Sequence, residues 1–320
     1  MIEVIDVTKR YGQHLAVDGV SFKVNKGEIL GFLGPNGAGK STTMNIIAGY
    51  ISMTEGTVTV DGLDVLDNAA EVRRKIGYLP EVPPLYGDMT VGEYYNFVSR
   101  IKFVPRSERK SNIEEVMEKV GLTDVRKRLI RNLSKGYKQR VGLGAAMIGN
   151  PEVLILDEPT VGLDPKQIID IRKLIKDLGR DHTIILSSHI LPEVSAVCER
   201  IVIINKGRIV ASDTPENLSA RLGGGKDLVI RVPGQAQPAV DILSGISGIA
   251  DVEVAGEREP ETVDLIIKSD RDIRTDIFFA FSRAELPILS MKPNDLTLEE
   301  IFIQVTQDSQ EGIRNASSLS

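Results

Sequence analysis

A run of eight residues near the start of the chain places the strongest constraint on its fold. Residues 34–41 read Gly-Pro-Asn-Gly-Ala-Gly-Lys-Ser and fit the pattern G-x4-G-K-[ST]. The apolar segment 29–33 precedes this run, and a helical pattern follows it. Glycines let the backbone curl so that successive N–H groups point inward, and the following helix adds its positive end. The sequence therefore predicts a strand–loop–helix unit that binds phosphate groups.

The side chains at the end of this run complete a predicted nucleotide site. Lys40 is long enough to reach the β- and γ-phosphates of a nucleotide, which also gives it a predicted catalytic role. The hydroxyl of Ser41 is a predicted ligand of Mg²⁺. The residues predicted to contact the nucleotide in this segment are Gly34, Pro35, Asn36, Gly37, Ala38, Gly39, Lys40, Ser41 and Thr42.

Two carboxylates and a histidine follow later apolar segments. Asp157 and Glu158 come directly after the apolar run 153–156, and His189 follows the next apolar run. Because ligands of open α/β sheets gather at the carboxyl ends of strands, we expect these side chains to lie near the phosphate loop. Asp157 is predicted to hold Mg²⁺ through water, and Glu158 to orient and polarise a water molecule against the γ-phosphate. Without a phosphate loop, an ordinary charge pair at a strand end would be the preferred interpretation. His14 and His182 are interpreted as ordinary loop residues.

The composition limits where such a chain can work. With 39 Lys and Arg against 45 Asp and Glu, the net charge is −6, which disfavours a free nucleic-acid binder. A single cysteine, Cys198, excludes an internal disulfide and favours a reducing compartment. The longest unbroken apolar run, residues 277–281, is far shorter than the ~20 residues of a membrane span. The N-terminal residues lack the layout of a signal peptide, so we expect a cytosolic chain whose membrane role depends on a partner.

Strand and helix patterns divide the chain into two predicted domains. Residues 1–222 alternate short strands with helices and include a mostly helical segment at about 91–149. A glycine-rich linker is predicted at 223–226, and an accessory domain with the element order βαββαβ at 227–306. That order is typical of a ferredoxin-like fold, and a last amphipathic helix is predicted from Leu296 to Val305. Residues 307–320 are polar and are predicted to form a flexible tail.

Further motifs give the chain a resemblance to a known family. Residues 133–140 read Leu-Ser-Lys-Gly-Tyr-Lys-Gln-Arg and resemble the signature of the nucleotide-binding subunits of ABC transporters, usually LSGGQ-x-Q-R. Alone, this segment would be an ordinary helix cap at Ser134, but it lies 18 residues before Glu152 and the acidic strand. Residues 162–164 resemble the D-loop of the family, and His189 its switch histidine. Tyr11 resembles the aromatic residue that stacks on adenine, although a simple strand-end aromatic remains an alternative.

This resemblance covers residues 1 to about 220 and implies a fold, cofactors and partners. The implied fold class is α/β: a P-loop ABC ATPase with a mixed sheet, a parallel core, an antiparallel β subdomain and a helical subdomain. The implied cofactors are ATP and Mg²⁺. Two subunits would pair head to tail as a homodimer, each ATP lying between one subunit's phosphate loop and Ser134 and Gly136 of the other. The dimer would act on a separate polytopic membrane permease, docked at residues 80–86 and the helical segment 91–149, at the cytoplasmic face of the membrane.

At three positions the sequence departs from the usual motifs of the family, and these departures indicate a subgroup within it. Lys135 and Tyr137 replace a glycine and a glutamine of the signature, and Glu81 replaces the glutamine of the Q-loop. Glu81 keeps an oxygen that can reach Mg²⁺ or water but adds negative charge near the phosphates. These variants resemble the ATPases of type 2 ABC exporters, within them the gliding-motility-associated and multidrug or sodium-efflux-like groups. The accessory domain is expected either to regulate or support the dimer or simply to add stability.

Two other classes of function are weaker alternatives. A soluble ABC-type ATPase acting on DNA or ribosomes would be expected to carry a long coiled-coil insert or two cassettes, and the acidic balance argues against nucleic acid as a partner. A P-loop kinase or ligase would have no use for the signature and the D-loop. We therefore expect an ATP hydrolase that powers export. The transported substrate is not encoded in these motifs.

Overall fold

The computed structural model describes residues 1–222, 227–256 and 261–293. The chain divides into two compact units, the first from Met1 to Thr214 and the second beginning at Pro215. The predicted linker at 223–226, the predicted helix from Leu296 to Val305 and the predicted tail at 307–320 lie outside the described residues. The predicted domain boundaries therefore stay predictions.

The described residues of the first unit form ten strands and seven α-helices. The strands are β1 (Ile2–Tyr11), β2 (His14–Val24), β3 (Ile29–Leu33), β4 (Glu55–Val60), β5 (Leu63–Asp64), β6 (Ile76–Leu79), β7 (Val153–Asp157), β8 (Thr183–Ser188), β9 (Arg200–Asn205) and β10 (Arg208–Asp213). The helices are α1 (Lys40–Ile47), α2 (Ala69–Lys75), α3 (Val91–Ile101), α4 (Arg109–Lys119), α5 (Lys135–Met147), α6 (Pro165–Leu178) and α7 (Leu191–Ser195).

The centre of the first unit is a six-stranded sheet with the order β10-β9-β3-β8-β7-β6. The strands β9, β3, β8, β7 and β6 run parallel, and β10 joins β9 as an antiparallel hairpin. Every residue of β3, β7 and β8 is buried, as expected for apolar strands that are covered on both faces. This arrangement confirms the predicted parallel core of an ABC ATPase fold.

A second sheet, with the order β2-β1-β4-β5, is antiparallel and packs on the first. Side chains from both sheets form one buried cluster; Val4, Val20 and Val58 come from the antiparallel sheet, and Phe32 and Ile155 from the central sheet. The rings of Phe22 and Phe32 lie 5.4 Å apart across this layer. The strand β2, which the sequence analysis did not single out, therefore supplies part of the core.

Three helices, α3, α4 and α5, occupy the segment that the sequence predicts as helical. Helix α3 begins with a capping box, in which Thr90 and Glu93 satisfy each other's backbone N–H groups. Helix α5 begins at Lys135 because the Ser134 hydroxyl oxygen accepts a hydrogen bond from the Tyr137 N–H at 3.4 Å. It ends at Met147, close to the end of the predicted helical segment at about 91–149.

The second unit contains α8 (Pro215–Leu222), β11 (Leu228–Pro233), α9 (Ala236–Leu243), β12 (Ile249–Gly256), β13 (Thr262–Ser269), α10 (Arg274–Arg283) and β14 (Ser290–Pro293) among its described residues. From β11 onward the order is βαββαβ, and the strands form an antiparallel sheet in the order β12-β13-β11-β14. Buried Ile230, Leu265 and Phe281 belong to its core. The assignment of this unit to the ferredoxin-like fold stays a prediction.

No helix within the described ranges combines the length and the apolar character that crossing a bilayer requires.

The approach of α7 to β3 depends on a glycine. A Cβ atom at Gly31 would lie 2.1 Å from Cγ1 of Val194 and 3.1 Å from Sγ of Cys198. We predict that Gly31→Ala lowers the free energy of unfolding by about 1–3 kcal/mol, because α7 or β3 must shift to make room. Chemical denaturation with urea would measure the change.

The control for this prediction is Gly245→Ala in the second unit. A Cβ atom there would meet the carbonyl oxygen of Ile242 at 3.5 Å, which is an ordinary contact. Equal stability of the Gly31→Ala chain and the wild-type chain would contradict the close packing of β3 on α7.

Candidate active site

The predicted phosphate loop joins β3 to α1, and its backbone has no room for side chains at two glycines. A Cβ atom at Gly34 would lie 2.4 Å from the carbonyl oxygen of Ile204, and one at Gly39 would lie 2.6 Å from that of Ala16. Gly37 and Gly39 also have φ angles of 79° and 105°, a region that favours glycine. The glycine pattern of the loop is therefore required by close backbone contacts as well as by its curvature.

The side chain of Lys40 turns back over this loop. Its Nζ donates hydrogen bonds to the carbonyl oxygens of Gly34 at 2.8 Å and Pro35 at 3.3 Å. The same Nζ lies 3.4 Å from Oε1 of Glu158, and both side chains are almost fully buried. These contacts bring the carboxylate that follows β7 to the phosphate loop, as the sequence predicts for two strands of one sheet.

Glu158 has a strained backbone that its neighbour on β8 holds in place. Its φ angle is 48°, a left-handed conformation that is costly for a residue with a side chain. Its N–H donates to the carbonyl oxygen of Ser187 at 3.2 Å and to the Ser187 hydroxyl at 3.0 Å. That hydroxyl in turn donates to Oδ1 of buried Asp157. The two carboxylates are thus fixed against the end of β8.

His189 follows β8 and faces the second oxygen of the same carboxylate. Its Nδ1 lies 2.9 Å from Oε2 of Glu158, and because a carboxylate only accepts hydrogen bonds, the ring nitrogen is the donor. Glu158 therefore lies between the ammonium of Lys40 and the imidazole of His189. A carboxylate held in this way can accept a proton from water, while the lysine can neutralise phosphate charge.

One cavity of about 560 Å³ contains most of the predicted site residues. The predicted residues that line it are Tyr11, Asn36, Gly37, Gly39, Lys40, Ser41, Thr42, Glu81, Glu158 and His189. The cavity is also lined by His14, Ala16 and Val161, which the sequence analysis did not assign to the site. His14 reaches it because it pairs with Tyr11 across the turn between β1 and β2. That pairing becomes predictable only when β2 is recognised as the partner of β1.

Tyr11 is about half exposed and is held at the rim of this cavity. Nζ of Lys9 lies 5.1 Å from the centre of the Tyr11 ring, a cation–π distance. The same ammonium donates to the carbonyl oxygen of Ser52 at 2.6 Å, which fixes the lysine. The other predicted loop histidine, His182, is buried and contacts the Pro151 carbonyl oxygen at 2.7 Å through Nδ1, so it has a structural partner.

The signature residues do not line the cavity. Ser134 caps α5, and Gly136 packs against α6, where a Cβ atom would lie 2.6 Å from Cδ of Gln167. Lys135 packs against Gly162 of the D-loop. A Cβ atom at Gly162 would lie 1.9 Å from Nζ of Lys135. Within one chain, the signature residues therefore lie outside the lining of the cavity that contains the phosphate loop.

A larger cavity of about 1160 Å³ lies elsewhere in the first unit. Six aromatic side chains line it: Tyr50, Tyr78, Tyr86, Tyr94, Phe97 and Phe103. Burial raises the pKa of Tyr94 to about 12, so that phenol stays neutral. Lys102 also lines the cavity and donates to the carbonyl oxygens of Ala146 at 2.7 Å and Ile148 at 2.9 Å, while burial lowers its pKa to about 8. These hydrogen bonds connect the end of α5 to the larger cavity, which forms an apolar groove.

Known proteins are similar to this chain in sequence and in fold. Residues 17–161 match the family model described as ABC transporter. The linearmycin resistance ATP-binding protein LnrL of Bacillus subtilis is 34% identical over 307 residues, or 96% of this chain and 98% of that protein. The bacitracin transport ATP-binding protein BcrA of Bacillus licheniformis is 40% identical over 223 residues, or 69% of this chain and 72% of that protein. A dimeric ATP-binding cassette bound to ADP and Pi, solved in a post-hydrolysis state, matches 67% of this chain and 98% of its own length at 28% identity, with a TM-score of 0.62.

The position of Glu158 leads to a test of its chemistry. We predict that Glu158→Gln still binds ATP but hydrolyses it roughly 10²–10³-fold more slowly, because an amide cannot accept the proton of the attacking water. Phosphate release would measure hydrolysis, and a fluorescent ATP analogue would measure binding. The variant should also accumulate as an ATP-bound dimer in size-exclusion chromatography.

Glu152→Gln is the matched control for this substitution. Glu152 precedes the same strand and pairs with Lys75 at 2.5 Å on a more exposed surface, so its loss should leave turnover unchanged. Turnover of Glu158→Gln at the wild-type rate would exclude that carboxylate from the reaction.

Proposed function

The chain belongs to the family of ABC transporter ATP-binding subunits, and we propose that it works as a head-to-tail homodimer that drives a separate membrane permease. The observation that carries this proposal is the division of the site into two halves within one chain. The cavity holds Lys40, Glu158 and His189, whereas Ser134 and Gly136 lie outside its lining. A second copy in reversed orientation completes two sites at once. ATP would then join the two subunits, and its hydrolysis would let them separate.

The predicted site residues receive the following roles in this proposal. Tyr11 stacks on the adenine, and the loop from Gly34 to Thr42 holds the phosphates, with Lys40 at the β- and γ-phosphates. Glu158 orients and polarises the attacking water, and His189 contacts the γ-phosphate from the end of β8. Ser134 and Gly136 of the second copy cover that phosphate from the opposite side with the positive end of α5. The support for these roles is the geometry around Glu158 and the shared cavity.

The residues present also fit a bound Mg²⁺ ion. The proposed donors are the Ser41 hydroxyl, the Asp157 carboxylate through water, and Glu81, all of them oxygen ligands. Ser41 and Glu81 line the cavity, and the Ser187 hydroxyl orients Asp157 behind it. Mg²⁺ commonly takes only one or two carboxylates and completes its shell with water and phosphate oxygens, so a larger acidic cluster is not needed. When bound, the ion supplies neutralisation of phosphate charge.

We assign the apolar groove to the permease. A groove lined by six aromatic side chains is typical of a protein contact. Phe103 is 74% exposed and Tyr86 is 53% exposed there, and Cζ of Arg74 lies 5.6 Å from the centre of the Phe103 ring. The groove includes residues from the predicted docking segments, namely 80–86 and the helices within 91–149. Docking there would hold the protein at the cytoplasmic face of the membrane.

The division of the site can be tested by mixing two inactive variants. Lys40→Ala should lose tight ATP binding, and Ser134→Glu should place a negative charge against the phosphate held by the other copy. Each variant alone should be inactive. In an equal mixture, random pairing gives dimers with one intact composite site, so we predict recovery of about a quarter of the wild-type ATPase rate.

The mixing experiment distinguishes a site shared between copies from a site within one chain. A site formed within one chain would give no recovery at any ratio of the two variants. The control is a mixture of Lys40→Ala with Glu158→Gln, since both substitutions affect the same half-site and no intact composite site can form.

The docking groove is tested by what accompanies the chain from native membranes. We predict that the wild-type chain, purified in mild detergent, recovers a polytopic membrane protein in stoichiometric amount by mass spectrometry. The double variant Tyr86→Asp, Phe103→Asp should lose this partner but keep ATP-dependent dimerisation, because charge in an apolar contact is costly. Ile5→Asp, at an exposed apolar position of β1, is the control.

Two outcomes would overturn the permease assignment. Recovery of ribosomes or nucleic acid in place of a membrane protein would move the chain to the soluble ATPases of the family. Recovery of the membrane protein by the double variant at the wild-type level would place docking outside the groove.

A further inference from the structure

The side chain of Glu193 is a buried carboxylate that the roles proposed above do not use. It lies on α7, and its side chain is only 5% exposed. Its Oε2 accepts a hydrogen bond from the hydroxyl of Thr160 and another, at 3.4 Å, from the hydroxyl of Ser188. The two hydroxyls belong to different segments of the chain. Thr160 comes two residues after Glu158, and Ser188 comes directly before His189.

The network around Glu193 extends into both segments. The Ser188 hydroxyl also accepts from the N–H of Ile190 at 3.0 Å, which closes a short turn around His189. Thr160 is buried, and the N–H of Val161 donates to the carbonyl oxygen of Glu158 at 3.2 Å. One carboxylate is therefore hydrogen-bonded to the residues that flank both members of the Glu158–His189 pair.

The ion pair of the buried Glu193 side chain is a loose one. NH2 of Arg172, on α6, lies 4.0 Å from Oε1 of Glu193, at the limit of an ion pair. Nε of Arg172 is buried and has no hydrogen-bond partner in the part of the chain that the structure describes. A buried pair at this distance is weak evidence for a contribution to stability. The arrangement therefore points to a role of Glu193 beyond stabilising the fold.

We propose that Glu193 is a positioning residue, which holds Glu158 and His189 in register by hydrogen-bonding to Thr160 and Ser188. Strained backbone conformations persist only where the surroundings over-determine them, and the φ of 48° at Glu158 is such a case. Ser187 fixes this residue from one side, through its carbonyl and hydroxyl oxygens. The Glu193 network fixes the chain on the other side, where it leaves toward the D-loop. This inference rests on the proposed roles of Glu158 and His189.

Loss of the hydrogen bonds to Glu193 is expected to change the position of the Glu158 carboxylate more than the stability of the fold. Without the bond from Thr160, the segment after Glu158 is free to relax toward an ordinary φ angle, which moves the carboxylate away from Nδ1 of His189. Misplacement of a reacting group by about 1 Å can cost on the order of 10²-fold in rate. ATP binding depends on the phosphate loop at residues 34–41 and should change little.

The test compares Thr160→Val, which keeps the shape and removes the hydroxyl, with Thr160→Ser, which keeps the hydroxyl. We expect Thr160→Val to lower kcat by roughly ten- to a hundredfold while KM for ATP stays within about twofold. Thr160→Ser should restore most of the rate. Glu193→Gln should resemble Thr160→Val less strongly, because the amide oxygen still accepts hydrogen bonds. Ser195→Ala, which removes the hydroxyl that donates to the Leu191 carbonyl oxygen on the same helix, is the control.

A spectroscopic measurement separates positioning from general destabilisation. The chain has three histidines, so ¹⁵N-labelled imidazole signals can be assigned one by one with single substitutions. In Thr160→Val, the signals of His189 should shift because its contact with Glu158 loosens, whereas those of His14 and His182 should stay. The same signals should return to their wild-type positions in Thr160→Ser.

Several results would overturn the inference. Unchanged kcat and unchanged His189 signals in Thr160→Val would show that Glu193 does not position the pair. A loss of melting temperature and of activity that Thr160→Ser shares equally would show a structural role. Failure of the proposed function is recognised separately, because Glu158→Gln would then retain full turnover whatever Thr160→Val does.

Discussion

The hydrogen-bonded register of β3, β8 and β7 determines where every reacting group lies. Leu33 of β3 pairs with Ser188 of β8, and Ser187 pairs with Asp157 of β7, so the three strands end side by side. A phosphate loop, an acidic pair and a histidine follow these ends and reach the same edge without a long loop. A slip of one residue in any of these strands would turn its buried side chains to the opposite face and displace the group that follows. The pairing of these strands therefore positions the chemistry as well as stabilising the fold.

The cavity at this edge of the sheet contains residues of the phosphate loop, Glu158 and His189, but not the signature residues Ser134 and Gly136. The signature at the start of α5 is built on α6, through Gly136 and Gln167, and not on the phosphate loop. In the head-to-tail dimer that we propose, such a chain gains its full site only by meeting a second copy. In that proposal, binding of ATP between two copies is converted into movement of whole subunits.

The sequence predicts the parallel core and the residues of the cavity well because these depend on local patterns. Buried strands appear as apolar runs, and a phosphate loop appears as glycines at fixed spacing, since both requirements act within a few residues. The exact start of α10 at Arg274 is harder to predict, because no side chain caps it and the boundary therefore has no local signal. His14 and Glu193 were missed for a different reason. Their positions depend on pairing across β1 and β2 and on packing of α7 against the D-loop segment, which single-sequence patterns do not encode.

The glycines of the phosphate loop also affect the free energy of ligand binding. Gly34 and Gly39 lie so close to the carbonyl oxygens of Ile204 and Ala16 that the loop is wedged between the backbone of β9 and that of β2. A segment wedged in this way loses its conformational freedom when the protein folds, not when a ligand arrives. An anion that enters the loop meets N–H groups that are already oriented, so ordering of the loop subtracts little from the free energy of binding. The entropy of forming this site is thus part of the stability of the fold and not of the affinity for its ligand.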